Sequence, residues 1–498
     1  MTVINIKTII LAAAACLLCA GTVYAEDEPK DLNTKPADNV LKGGQSQTSQ
    51  SKDDKTEPNP NNLTPKIDMQ PANLKTFDFG VELLTLFLYR NDSDFDRSDY
   101  AYADKKQSVG FFATFAKPKL EISLGKSLKF HFDAELGLDM WSRNNPDYAV
   151  GENQSALSFK QREIWGSVKA FDSTVFKLGY QRVQDVSGLF VNHWAGAVDA
   201  SVNSGNFGAR LAFAQLPDQT GEGITVDSNS LSNDVFVLAL DGKYSLAKIL
   251  DGTLDAKLGF YYMYDGGIVN MPRHIYSIQA ALALAADYYE VNAAFAFQGG
   301  KWENRSADGS DAKISAWGAA LNGKAKLGIV ALDFGLTALS GDDDNDVNDS
   351  LGFFWSGKRM GATVMLSENE LRDLGDNIDE RVSAKEKGGS LWETRAGLLG
   401  VDLGVAFFPL DWLKAGVYAG TLMVLKSENA AGESVVGTEA GINLGANFFD
   451  KALSLDLTAG LVVPGGAGAA YVNKLQSGEA RSATDKIYFI QTGVTLVF

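Results

Sequence analysis

The sequence predicts an all-β protein, a transmembrane antiparallel β-barrel of about eighteen strands with a disordered N-terminal leader. Three observations carry this expectation. Apolar and polar residues alternate with period two over most of the chain beyond Ala72. The connections between the alternating stretches are by turns short and long, as periplasmic turns and extracellular loops are in such barrels. The chain also ends on an amphipathic aromatic stretch, Ile487 to Phe498. There Tyr488, Ile490, Thr492, Val494, Leu496 and Phe498 share one face, while Gln491, Gly493 and Thr495 share the other. Phe489 and Val497 are exceptions on the polar face.

Composition agrees. The 498 residues are 45 % hydrophobic with a mean hydropathy of −0.09, too polar for a bundle of membrane helices. A barrel escapes hydropathy scales because only alternate residues meet lipid. The 50 glycines and 10 % aromatic residues suit a sheet with many turns. A formal net charge of −17 argues against nucleic acid as a partner.

Residues 1–25 read as a secretory signal: Lys7, an apolar run from Ile9 to Leu18, then Val23-Tyr24-Ala25 before Glu26. Cleavage after Ala25 removes Cys16 and Cys19, leaving no thiol, disulfide or Cys-based metal site. Residues 26–72 lack aromatic residues and are rich in Pro, Lys, Asp, Asn, Gln and Ser, which marks a disordered periplasmic leader. The barrel is expected over 73–498. Elsewhere no apolar run approaches the ~20 residues of a spanning helix.

Within the barrel, the stretch from Leu128 to Trp141 is the clearest strand. Leu128, Phe130, Phe132, Ala134, Leu136 and Leu138 face one way, and Lys129, His131, Asp133, Glu135 and Asp139 the other. Thr253 to Tyr264 and the strands beginning near Gly328 and Leu453 repeat the pattern. Short turns are expected at Gly125–Ser127, Gly205-Asn206, Ala286–Tyr288 and Lys326-Leu327. Pro118 falls inside a strand and predicts a bulge or register fault there. Trp141, Trp194, Trp302, Trp392 and Trp412 gather near strand ends, as an interfacial girdle would.

Inward-facing charges, assigned by alternation, include Lys129, His131, Asp133, Glu135 and Arg210, and over the whole barrel acids outnumber bases. Such a wall predicts a mixed-charge, mildly acidic channel for small polar or saccharide solutes. A polyanion would call for a basic surplus.

Two regions resemble the alginate-export family of bacterial outer-membrane porins. One comprises Phe159–Val168, Phe176–Arg182 and Trp194–Asp199; the other is Leu339–Phe354 with its Ser-Gly-Asp-Asp run. The motifs cover about a tenth of the barrel, and Tyr180 stands where the family usually has Arg. The resemblance implies that Arg162, Lys177, Gln181, Arg182 and Asp199 line or brace a pore. It further implies that the loop after Val186 folds inward as a constriction and that 341–390 forms an external lid. Export of a polysaccharide, or a surface adhesion or structural barrel, are the alternatives to a solute channel.

The acidic run after Gly341 offers Asp342, Asp344 and Asp346 as weak Ca²⁺ ligands, but it lacks the Gly and Glu of an EF-hand, and a solvated loop is the expectation. No cofactor is expected. The three histidines stand in no recognisable catalytic arrangement, so no enzyme is expected. The expected setting is the outer membrane of a Gram-negative-type bacterium. The expected partners are its lipid and lipopolysaccharide, and the barrel-assembly machinery through the C-terminal strand.

Overall fold

A computed structural model describes residues 74–91, 109–138, 157–171, 173–216, 235–249, 251–266, 272–305, 309–342, 349–350, 352–355, 363, 392–394, 396–427, 432–469 and 486–498. The expected signal and leader lie outside them. The first half of the barrel comprises β1 (Leu74–Arg90), β2 (Val109–Leu124), β3 (Leu128–Leu138), β4 (Leu157–Lys169), β5 (Thr174–Gln184), β6 (Asn192–Ser204), β7 (Phe207–Leu216), β8 (Val235–Ile249) and β9 (Gly252–Asp265). Then follow β10 (Arg273–Ala286), β11 (Tyr289–Trp302), β12 (Ala312–Leu327) and β13 (Val330–Leu339). Three short pieces interrupt the series: β14 (Asp349–Ser350), β15 (Phe353–Trp355) and β16 (Trp392–Thr394). The barrel resumes with β17 (Leu398–Leu410), β18 (Leu413–Met423), β19 (Val435–Phe448), β20 (Leu453–Pro464) and β21 (Ile487–Val497).

Each long strand pairs antiparallel with its neighbours in sequence, giving eighteen staves. The sheet closes where β1 meets β21, from Glu82 opposite Val497 to Arg90 opposite Phe489. Phe498 completes this seam, since its N–H donates to the Val81 carbonyl (3.0 Å) and its carbonyl accepts from Val81 N–H (3.2 Å). Closure leaves no unpaired edge among the staves. β14 runs parallel beside β12, and β15 and β16 form a separate small ladder.

Tight turns join the strands at one end and longer connections at the other. Gly205 and Gly328 hold positive φ in two of the tight turns, a conformation that glycine adopts without steric cost. The expected turn at Lys326-Leu327 is displaced to Gly328-Ile329, because β12 runs on to Leu327. Pro118 produces no register fault. It pairs with Val81 in a β1–β2 register that runs unbroken from Thr76 to Arg90, and the β2–β3 ladder only skips Lys117 and Pro118 before resuming. One of several bulges lies in β4, where Asp133 faces Glu163 and Ala134 faces Gln161, leaving Arg162 as the extra residue; the β1–β2, β8–β9, β17–β18 and β18–β19 ladders also shift register.

The alternation sorts the wall into two faces. Phe77, Leu178, Val198, Leu240, Leu258, Ile278, Phe295, Leu403 and Val417 stand exposed on the outer face. The inner face changes character along the barrel axis. Toward the long connections it is small or apolar and buried, with Ala195, Ala197, Ala212, Ala214, Val237, Ala239, Ala296 and Ala316. Toward the tight turns the same strands present Asp199, Arg210, Asp241, Lys243, Asp255, Glu290 and Lys324.

Candidate pore interior

The buried inner half is covered by two segments folded into the barrel. The first is the β5–β6 connection. Its Leu189, Phe190 and Val191 are almost fully buried. Asp185 organises it, accepting from the backbone N–H groups of Gly188, Phe190 (2.8 Å) and Val191 (2.9 Å) and from Ser187 Oγ (3.2 Å). Gln279 of β10 donates to Asp185 Oδ2 (2.9 Å) and accepts from Ser187 N–H (3.0 Å), and Val186 N–H donates to Tyr261 Oη (2.8 Å). The segment is thereby tied to the inner wall at β9 and β10. Burial pushes the Asp185 carboxyl up from its ordinary value, against the pull of these donors.

The second segment is β15. Phe353 and Phe354 are fully buried, and Gln298 of β11 clasps the Phe354 backbone. Phe354 also packs with Trp302 (centroids 6.1 Å) and beneath the Arg273 guanidinium (5.1 Å). Arg273 is itself ion-paired to Asp265, with both side chains buried. A buried pair of this kind is costly to break because one charge is then left uncompensated. Small inner-wall residues leave the room these segments fill; Gly318, for example, admits the Phe353 ring, which a Cβ there would meet at 2.9 Å.

The open inner half carries a band of charges of alternating sign. Lys129 pairs with Glu121 (2.7 Å), Lys243 with Asp255 (2.6 Å) and Lys324 with Asp333 (3.8 Å). Arg210 lies between two acids, 2.7 Å from Asp241 and 3.7 Å from Asp199. His131 stacks on Trp165 (4.8 Å, 10° between planes), and Lys177 Nζ sits 4.1 Å from the same ring. Trp165 Nε1 donates to Glu163 (2.7 Å). Gly179, with φ +137°, lies opposite Trp165, and a Cβ there would fall 2.7 Å from its Cα. A cavity of about 550 Å³ at the tight-turn end is lined by Glu290, Lys324, Asp333, Lys414 and Asn443 among others.

Of the residues singled out in the sequence, Lys129, His131, Asp133, Glu135, Lys177, Asp199 and Arg210 share the inner face through the pairings of β2 to β8. Gln181 also faces inward, buried, with its Nε2 donating to the Ala197 carbonyl (3.2 Å). Arg182 goes the other way. It follows Leu178 and Tyr180 on the outer face of β5, where its guanidinium lies 6.0 Å from the Trp194 ring and Nε donates to Asn192 (2.8 Å). Period two allows only one of Gln181 and Arg182 to face the lumen. Arg162 occupies the β4 bulge, and its side chain is outside the described ones. Asp342 is buried beyond β13, while Asp344 and Asp346 lie outside the described residues.

Alternation alone did not separate the two inner halves. The run of small residues at inward positions, Ala195 and Ala197 opposite Gln181 and Gly179 or Ala212 and Ala214 on β7, was the available signal for something packed against them. Trp165 went unremarked as a wall residue, although its parity with Glu163 places it there.

No family model matches the chain, and no curated protein matches it. Solved structures do. OccAB1 of Acinetobacter baumannii superposes with a TM-score of 0.53 at 10 % identity, covering 86 % of this chain and 99 % of that one. OccAB4 of the same organism gives 0.50 at 11 %, covering 86 % and 100 %. OccK2 (OpdF) of Pseudomonas aeruginosa gives 0.50 at 12 %, covering 85 % and 98 %. At such identities the likeness establishes the fold alone, a closed barrel of about eighteen antiparallel strands. It gives no particular standing to the alginate-export family.

Proposed function

We propose that the chain is an outer-membrane channel that passes small polar or saccharide solutes and carries out no reaction. One contrast supports this most: an apolar outer wall encloses an inner wall of charged residues. A closed sheet satisfies its own backbone, which is the condition for crossing lipid with strands. Lys129, His131, Asp133, Glu135, Lys177, Asp199 and Arg210 line the wide inner half, and Gln181 braces the neighbouring strand. Mutual pairing of Arg210 with Asp199 and Asp241 mutes the charge of the wall. The remaining acids make it mildly cation-selective, because rings of carboxylates favour cations. The β5–β6 segment and β15 set the narrowest passage.

The same infolded segments favour a second reading, a surface barrel whose lumen is closed and whose long connections bind a partner. Export of a polysaccharide, implied by the alginate-export resemblance, would need a cationic wall. Planar-bilayer recording from the purified barrel decides among these. Discrete conductance steps with a weakly cation-selective reversal potential are expected. Absence of steps would overturn the channel, and marked anion selectivity would revive the polyanion exporter.

A further inference from the structure

The outer wall has a feature that transport through the lumen leaves unexplained. Among the described residues of the barrel strands, the outward-facing Lys and Arg side chains are Arg182, Lys301 and Lys313, and two of these stand directly opposite one another. Lys301 of β11 pairs in register with Lys313 of β12, and on its other side with His274 of β10, which in turn faces Tyr264 of β9. Four consecutive strands thus place Tyr264, His274, Lys301 and Lys313 side by side at one level, close to the long-connection end. Like charges directly opposed on one face of a sheet destabilise it unless counter-charge is supplied.

The chain supplies counter-charge of its own, including Asp349 of β14, which stands in register beside Lys313. Glu303 pairs with Lys301 and lies 3.3 Å from His274 Nε2, and Asp311 is 3.6 Å from Lys301 Nζ. Both acids belong to the β11–β12 connection, so they meet the row from the loop side. The other side is apolar. One step along the strands come Tyr276 and Ser315, and a further step brings exposed Ile278, Phe297 and Trp317. Each step is about 7 Å at the rise of an extended strand. Lys313 itself is exposed. The cations therefore stand where a hydrocarbon band gives way to headgroups, a level at which an outward charge costs little.

We propose that this row is a docking site for a phosphate-bearing glycolipid headgroup of the outer leaflet. Lys301 and Lys313 hold the phosphate. Tyr262, whose hydroxyl lies 2.8 Å from His274 Nδ1, and Tyr264 present aromatic faces to the adjoining sugar. The acyl chains lie along Phe297 and Trp317. The assignment rests on the barrel spanning a membrane with its long connections outward, but not on conduction through it.

Native mass spectrometry of the full-length barrel in detergent micelles tests the site. The probes are lipid A carrying two phosphates and the same lipid with its phosphates removed. The intact barrel should retain the phosphorylated lipid in preference by roughly tenfold, and Lys301→Gln/Lys313→Gln should abolish that preference. Arg182→Gln, away from the row, should leave it intact. Equal retention of both lipids by the unaltered protein would overturn the site, as would a double variant that keeps the preference. Displacement of the lipid by millimolar inorganic phosphate would reduce it to a site for the free ion and count equally against it. If the double variant does not fold, the comparison of the two lipids on the unaltered protein decides. Conductance recorded on the same preparation bears on the channel alone, so the two ideas fail separately.

Discussion

Gln298 binds the backbone of Phe354 in both directions: its Nε2 donates to the Phe354 carbonyl (2.7 Å), and its Oε1 accepts from the Phe354 N–H (2.9 Å). A side-chain amide here takes the place of a neighbouring strand for a segment that lies across the barrel interior. Both groups are buried, so neither Phe354 backbone atom has water as a substitute partner.

Replacing Gln298 with Leu should therefore release β15 from the wall. Two buried backbone groups lose their partners, at about 1–3 kcal/mol each. Single-channel conductance is expected to rise, with more frequent transitions between levels, while the barrel still migrates as a folded, heat-modifiable band. Unchanged conductance and noise would show that β15 does not narrow the passage.

The Asp185 clasp gives a parallel case on the other infolded segment. Asp185→Ala removes the acceptor shared by Gly188, Phe190 and Val191, and it leaves the Nε2 of Gln279 with Ser277 Oγ (3.1 Å) in place of two acceptors. Loss of a buried, multiply bonded carboxylate should loosen the β5–β6 connection by several kcal/mol, about 3 or more. Limited proteolysis within 185–191 of the folded variant, at sites protected in the unaltered protein, is the expected outcome. Equal protection in the two proteins would show that the apolar burial of Leu189, Phe190 and Val191 suffices.

Arg210 is the cation that Asp199 and Asp241 share in the open half. Removing it as Arg210→Gln leaves Asp199 and Asp241 without their common cation. The reversal potential in a salt gradient should shift toward cations, and the shift should shrink as salt is raised because the wall charges are screened. The reverse change, Asp241→Asn, should move selectivity the other way. If neither variant shifts the potential, the narrow passage rather than this band sets selectivity.

The barrel was legible in the sequence because its physics is local: period two, turn chemistry and alternating connection lengths each appear within a dozen residues. The inner-face assignments of Lys129, His131, Asp133, Lys177 and Arg210 follow from the same parity. What escaped is non-local. Arg182 was drawn inward by a motif although its neighbour Gln181 had the parity for the lumen. The inward fold of the β5–β6 connection matched the family resemblance, yet its determinants, Tyr261 and Gln279, lie some seventy-five and ninety residues away. Phe353 and Phe354 could not be read as interior from alternation, since they lie outside the staves and are buried by strands β11 and β12.

The last residue offers the final test. Phe498 adds two backbone hydrogen bonds to the β1–β21 seam, both with Val81, just beyond the pairing of Glu82 with Val497. Its side chain is exposed on the apolar outer face beside Phe79 and Leu496. Deleting Phe498 removes both bonds, worth about 1 kcal/mol each once closed, a modest loss in an eighteen-stranded sheet. The thermal midpoint of barrel that has already closed should therefore fall only slightly. Until the seam pairs, its two open edges expose a row of unpaired backbone groups. The deletion should consequently lower the amount of heat-modifiable barrel in outer-membrane fractions several-fold, while channels that do assemble conduct as before. Normal membrane levels, or altered conductance at normal levels, would contradict a role for Phe498 in closure.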